Sequence, residues 1–145
     1  MSEHEQPAAP PGDEGRRMQL RGLHHVTAIV ADLERTTAFY RDVLGLALTS
    51  EGANDDDPDA RHFWFGDAEG RAGTLVSFLE YPEFESAAGS IHHFALAVAS
   101  AEELQAWVEY LRSRDIEVTD VLERGRFHSI YLRDPDGRIV EIAQA

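Results

Sequence analysis

The sequence predicts an α+β fold of two βαβββ modules, whose eight strands form a curved mixed sheet with the helices outside. Three observations predict it. The stretch Leu23-His24-His25-Val26-Thr27-Ala28-Ile29-Val30 returns, almost half the chain later, as Ile91-His92-His93-Phe94-Ala95-Leu96-Ala97-Val98. Each copy puts a histidine pair at the head of an apolar, strand-like run, and each is followed by a capped amphipathic helix and three short strand-like runs. A unit of this size cannot bury its apolar strand face alone, so two copies pair around one concave surface.

Residues 1–19 are rich in Pro, Glu, Gly and Ala, as in Gln6-Pro7-Ala8-Ala9-Pro10-Pro11-Gly12. They lack apolar periodicity, which predicts a disordered acidic tail. Residues 20–145 then form one domain, with modules at 22–82 and 90–145. In the first module a strand over 23–30 is followed by Asp32, placed to cap a helix. The inward face of that helix is Leu33, Thr36, Thr37, Tyr40, Val43 and Leu44, and Gly45 ends it. Strands follow over 46–51, 61–66 and 73–80, the first two joined by the acidic loop Asn54-Asp55-Asp56-Asp57-Pro58-Asp59. Consecutive aspartates interrupted by proline lack the alternating ligands and the glycine of a calcium loop, so this segment reads as a solvated turn.

The second module repeats the order. After the strand over 91–98, Ser100-Ala101-Glu102-Glu103 is a capping box, and Leu104, Trp107, Val108 and Leu111 form a helical apolar stripe. Strands over 116–123, 127–133 and 138–143 complete it. The last two are joined by the turn Asp134-Pro135-Asp136-Gly137.

Composition narrows the chemistry. The chain of 145 residues has no cysteine, which excludes disulfides, thiol catalysis and cysteine-ligated metals. All 13 basic residues are arginine, so lysine Schiff bases and a P-loop lysine are excluded as well. A formal charge of −14 opposes binding to nucleic acid or anionic lipid, which depends on basic patches. No apolar stretch reaches the ~20 residues of a membrane span, and no signal-peptide core follows the N-terminal charges. The expected location is cytoplasmic.

By the repeat, His25 and His93 occupy equivalent positions and point to one side, whereas strand alternation sends His24 and His92 to the other. Glu141 is a lone carboxylate inside the apolar strand Arg138-Ile139-Val140-Glu141-Ile142-Ala143. Buried unpaired, it would cost several kcal/mol. It therefore calls for a cation: a metal shared with His25 and His93, or an arginine such as Arg133 or Arg138. Two imidazoles and a carboxylate suit non-haem Fe(II), and the same donors accept Mn, Zn or Ni. Ser77 stands where a symmetrical fourth ligand would come. Three protein ligands leave coordination positions open for water, substrate or dioxygen.

His25-Val26, Asp32, Phe39-Tyr40, Leu44-Gly45-Leu46 and Asp134-Pro135-Asp136-Gly137 with Glu141 together resemble the vicinal oxygen chelate superfamily of glyoxalase, bleomycin resistance and extradiol dioxygenase proteins. The resemblance covers residues 22–145. Within it, Leu23-His24-His25-Val26-Thr27-Ala28, Gly73-Thr74-Leu75, Ile91-His92-His93-Phe94-Ala95 and Glu123-Arg124-Gly125-Arg126-Phe127-His128-Ser129-Ile130-Tyr131 are similar to ring-cleaving dioxygenases of hydroquinones. The resemblance implies that His25, His93 and Glu141 are iron ligands. It also implies that His24, Thr27, His92, Arg124 and Tyr131 surround the metal or touch a small aromatic substrate, with dioxygen as co-substrate.

Those hydroquinone enzymes are roughly twice as long, and this chain looks like their first and last modules joined directly. Other members of the superfamily open three more readings. A glyoxalase-type isomerase or epimerase normally has four ligands, against which Ser77 argues. A fosfomycin-type thiol transferase also uses two His and a Glu, and the absence of lysine argues against that. A bleomycin-resistance-like binding module generally lacks the triad. Members often dimerise or exchange modules, so the resemblance leaves open both a site within one chain and a homodimer. His62 and His128, on strands beside the site, are weaker candidates for it.

Overall fold

A computed structural model describes residues 19–54, 57–83 and 91–144. The tail predicted over residues 1–19 lies, but for its last residue, outside them. The elements run β1 (His25–Val30), α1 (Leu33–Thr37), β2 (Ala47–Asn54), β3 (Asp57–Gly66), β4 (Leu75–Glu80), β5 (His93–Val98), α2 (Ala101–Ser113), β6 (Leu122–Glu123), β7 (His128–Arg133) and β8 (Ile139–Gln144). This is the repeated βαβββ order. Hydrogen bonding divides the eight strands into two mixed sheets of four, ordered β1-β4-β3-β2 and β5-β8-β7-β6. In each sheet the histidine-headed strand lies parallel to the last strand of its module, and the other pairs are antiparallel.

Local chemistry sets the helices. Asp32 is extended and its Oδ1 accepts the amides of Glu34 and Arg35, which caps α1 as predicted. The helix then widens into a π-helical segment over Ala38–Val43, with an i to i+5 bond from the Leu44 amide to the Phe39 carbonyl at 3.0 Å. The wider turn buries Phe39 as well as Tyr40, an addition to the predicted face. Gly45 closes the segment at a φ of 83°, in the left-handed region. Ahead of α2, Ser100 Oγ accepts the Glu103 amide, and Glu103 Oε2 reaches back to the Ala99 amide. Leu104, Val108 and Leu111 are its buried stripe.

Two predicted strand limits are corrected. The acidic loop is narrower than its composition suggests, because β2 runs on to Asn54, β3 starts at Asp57 and these two residues pair. Residues 55 and 56 lie outside the described set. The strand predicted over 116–123 forms only at Leu122–Glu123, with an isolated bridge from Val118 to Leu132. There the Thr119 hydroxyl accepts the Tyr131 amide, so a side chain takes the ladder position.

One core joins the halves. Val30, Leu33, Tyr40, Phe65 and Phe78 of the first module are fully buried with Leu104, Val108, Leu111, Ile130 and Val140 of the second. A buried polar latch crosses the same boundary. Tyr40 donates its hydroxyl to Asp134 Oδ2 at 2.8 Å, Arg138 Nη1 donates to the same oxygen at 2.9 Å, and Arg138 Nη2 donates to the Ile29 carbonyl at 2.7 Å. Burial, and then the Asp134 carboxylate, push the Tyr40 phenol well above its ordinary range, so it stays a neutral donor. Among the described residues, no helix is long and apolar enough to cross a membrane.

A second network ties α1 to the first sheet. Arg61 spans Glu34 and Glu80 with bonds of 2.8 to 2.9 Å, and Glu80 also accepts the Leu33 amide at 2.8 Å. The Arg61 guanidinium holds the Glu80 carboxyl below its ordinary value of 4.5. A lowered folded pKa gives stability that is present above the ordinary value and lost as pH falls through the folded one. Glu80→Gln is therefore expected to cost more stability at about pH 7 than at a pH well below 4.5, read from urea midpoints. An equal cost at both pH values would reject the ionic role.

Candidate metal centre

His25 and His93 head β1 and β5, and each is exposed. The residue before each lies ahead of the strand, so alternation does not govern it. The paired rings meet instead of pointing apart: His24 Nδ1 is 3.0 Å from His25 Nδ1, and His92 Nδ1 is 2.8 Å from His93 Nδ1. Each contact is a hydrogen bond when one nitrogen carries the proton. With His25 and His93 as the donors, it orients their rings and leaves each Nε2 unprotonated, as a metal-ligating nitrogen must be.

The second sheet builds a compact polar cluster on this plan. Glu141 is 4% exposed, and its Oε1 lies 3.1 Å from His93 Nε2. Its Oε2 accepts the Tyr131 hydroxyl at 3.2 Å, and that hydroxyl accepts Arg124 Nε at 3.2 Å. The Arg124 guanidinium also lies over the Tyr131 ring, 5.2 Å from its centroid. The lone carboxylate thus meets a histidine and a phenol. The arginines considered as its partners are used elsewhere: Arg138 in the latch, and Arg133 on the Gly137 carbonyl. His93 and Glu141 aim two metal-type donors at one point, so the donor chemistry fits a divalent metal.

The first sheet carries the matching half. His25 packs edge-on against Trp64 at 4.7 Å, and Trp64 also meets His62 at 4.9 Å. Thr27 Oγ1 is 2.7 Å from Ser77 Oγ, which is 2.9 Å from His62 Nε2. Register relates the halves position by position. Thr27 pairs with Ser77 and Ser77 with Trp64; Ala95 pairs with Glu141 and Glu141 with Tyr131. Ser77 is the counterpart of Glu141, as the aligned sequences suggested, and Trp64 is that of Tyr131.

Sequence reasoning missed Trp64. Its signal was the alternation His62-Phe63-Trp64-Phe65, in which Phe65 enters the core and Trp64 faces the other side. His128 stands apart from this cluster, its Nδ1 3.1 Å from the Gln144 side-chain oxygen.

Within one chain His25 does not join His93 and Glu141 in a group of ligand atoms mutually within 4.8 Å. Among the described residues, the trio of possible ligands with atoms mutually within 4.8 Å is Asp32, Glu34 and Glu80, not His25, His93 and Glu141. The acidic trio is already employed in helix capping and in the Arg61 network. His24, His25 and Thr27 line the first sheet; His92, His93, Tyr131, Arg124 and Glu141 line the second.

Comparisons with known proteins place the chain in a family. Residues 22–142 match the family model described as Glyoxalase/Bleomycin resistance protein/Dioxygenase superfamily. The chain is 31% identical over 124 residues to the "Putative ring-cleaving dioxygenase MhqA" of Bacillus subtilis, covering 83% of this chain and 39% of that protein. It therefore spans well under half of that relative's length. It is 27% identical over 126 residues to the fosfomycin resistance protein FosX of Listeria monocytogenes, covering 85% of this chain and 89% of the relative. A crystal structure of a "putative dioxygenase" from Bacillus subtilis superposes with a TM-score of 0.75 at 30% identity, over 86% of this chain and 40% of that one. An integron cassette protein from the Halifax Harbour sewage outfall metagenome gives 0.65 at 26% identity, over 87% and 100%. The chain belongs to the glyoxalase/bleomycin resistance protein/dioxygenase superfamily.

Proposed function

We propose that the chain is a metal-dependent, ring-cleaving dioxygenase of the non-haem Fe(II) type, acting with dioxygen on a small hydroquinone- or catechol-like phenol in the cytoplasm. The observation that carries this reading is the His93–Glu141 pair at 3.1 Å, backed by Tyr131 and Arg124. His25, His93 and Glu141 would hold the metal, with Fe(II) favoured over Mn, Zn and Ni. When bound, Fe(II) supplies Lewis acidity toward a phenol and the redox capacity to activate dioxygen. Around it, Tyr131 holds a proton between Glu141 and the site, and Arg124 offers a cation to an anionic substrate oxygen. His24 and His92 orient the liganding rings through their Nδ1 contacts and, as imidazoles, can move protons. Thr27 offers a hydroxyl beside His25.

The test is metal analysis of anaerobically purified protein, followed by oxygen uptake on hydroquinones and catechols. Iron with stoichiometric oxygen uptake is expected. Zinc, nickel or manganese with no uptake would reject it. A second reading has its own support: the fosfomycin-resistance relatives match over nearly their whole length, as the ring-cleaving ones do not. Opening of the fosfomycin epoxide by the same preparation would favour it.

We also propose that a homodimer completes the site, with His25 of one copy facing His93 and Glu141 of the other. Support comes from His25 not joining His93 and Glu141 within 4.8 Å in one chain. Mixing His25→Ala with Glu141→Ala distinguishes the arrangements. In mixed dimers with shared sites, one site regains all three ligands, and a statistical mixture recovers about a quarter of wild-type metal and activity. Sites closed within one chain recover none.

A further inference from the structure

The first half-site has lost the carboxylate of its counterpart and has a chain of hydroxyls in its place. Ser77 is fully buried, so its hydroxyl depends on the partners around it. Those partners lie on the two flanking strands: Thr27 Oγ1 at 2.7 Å on β1 and His62 Nε2 at 2.9 Å on β3. Thr27 shares its strand face with His25, two residues on. At the register position equivalent to His62, the second half has Ser129, and at that of Thr27 it has Ala95. The second half therefore lacks any such chain.

We propose that Thr27, Ser77 and His62 form a proton path out of the site, with His62 as its terminal base. This rests on the phenol-binding reading above. The proton of a phenol passes to Thr27 Oγ1, the Thr27 proton passes to Ser77 Oγ, and the Ser77 proton passes to His62 Nε2. One phenol O–H bond breaks and one imidazole N–H bond forms. Each hydroxyl gives up one proton as it receives one, so nothing is oxidised or reduced. The products are a phenolate beside His25 and an imidazolium at His62. Both hydroxyls can donate and accept at once, which such a relay requires. Trp64, in contact with the His25 and His62 rings, fills the space between them with apolar surface.

The path predicts where the proton goes on binding, without any turnover. Hydroquinone is titrated into the Fe(II)-loaded full chain under argon by calorimetry, in two buffers of different ionisation heat. Near-zero proton release is expected from the wild type, because His62 keeps the proton. Ser77→Ala cuts the path but not its end states, so it is expected to leave the proton count unchanged and to slow phenolate formation by about 100-fold in anaerobic stopped-flow absorbance. His62→Gln keeps an amide that can hydrogen-bond Ser77 but cannot take a proton, and is expected to release about one proton per site to the buffer. A purely structural role for His62 would leave that value at zero. Release of a full proton by the wild type, release of none by His62→Gln, or phenolate formation as fast in Ser77→Ala as in the wild type overturns the path. Absence of any binding by the wild type overturns the path and the phenol reading together.

Discussion

Replacing Glu141 with alanine is expected to remove the metal while leaving the protein folded. A residue that merely orients a ligand is worth about 10- to 100-fold in metal affinity or activity. Loss of a ligand itself should therefore cost at least about a thousandfold in both. The fold should survive, because the groups the carboxylate meets keep other contacts: His93 is 38% exposed and Tyr131 still accepts Arg124. Metal content by mass spectrometry and the circular dichroism spectrum check the two halves of this expectation. Full metal content in Glu141→Ala would remove this residue from the ligand set. Tyr131→Phe gives the contrast, with metal retained and activity lower by about 10- to 100-fold.

Asp134→Ala is expected to act in the opposite way, on the fold before the chemistry. Its side chain is fully buried and that of Arg138 is 3% exposed, in the latch that joins the modules. Removing the carboxylate leaves the Arg138 charge and the Tyr40 hydroxyl without their shared acceptor. Breaking a buried ion pair from one side costs about 3–5 kcal/mol, against about 1 kcal/mol for a neutral hydrogen bond. Urea denaturation should show that larger loss for Asp134→Ala and the smaller one for Tyr40→Phe. If Asp134→Ala costs under about 1 kcal/mol, the latch is not an energetic link between the modules.

Much of the fold was legible because it is encoded locally and twice. The histidine doublets, the Asp32 and Ser100 caps, Gly45 and the apolar stripe of α2 are signals within a turn or two of the chain. Their boundaries failed where a distant strand decides. Residues 52–54 and 57–60 look like loop until β2 and β3 pair, and residues 116–121 look like strand until the Thr119 side chain takes the Tyr131 amide. The π-helical widening that buries Phe39 was similarly hidden, since it follows from packing against the core and not from apolar spacing.

For the site, residue type and repetition in the amino-acid order were enough to mark His25, His93 and Glu141 as candidate ligands and to rank Ser77 as the odd counterpart. Chemistry alone does that, because a carboxylate in an apolar strand needs a partner wherever the strand goes. Which partner it meets was settled only in three dimensions. Register and side-chain reach place His93 and Tyr131 on Glu141, send Arg138 to Asp134, and fold His24 back onto His25 against simple alternation. The proposed chain from Thr27 through Ser77 to His62 is likewise a product of strand pairing. Its three members come from separate stretches of sequence, and only the order β1-β4-β3 sets their side chains within hydrogen-bonding distance.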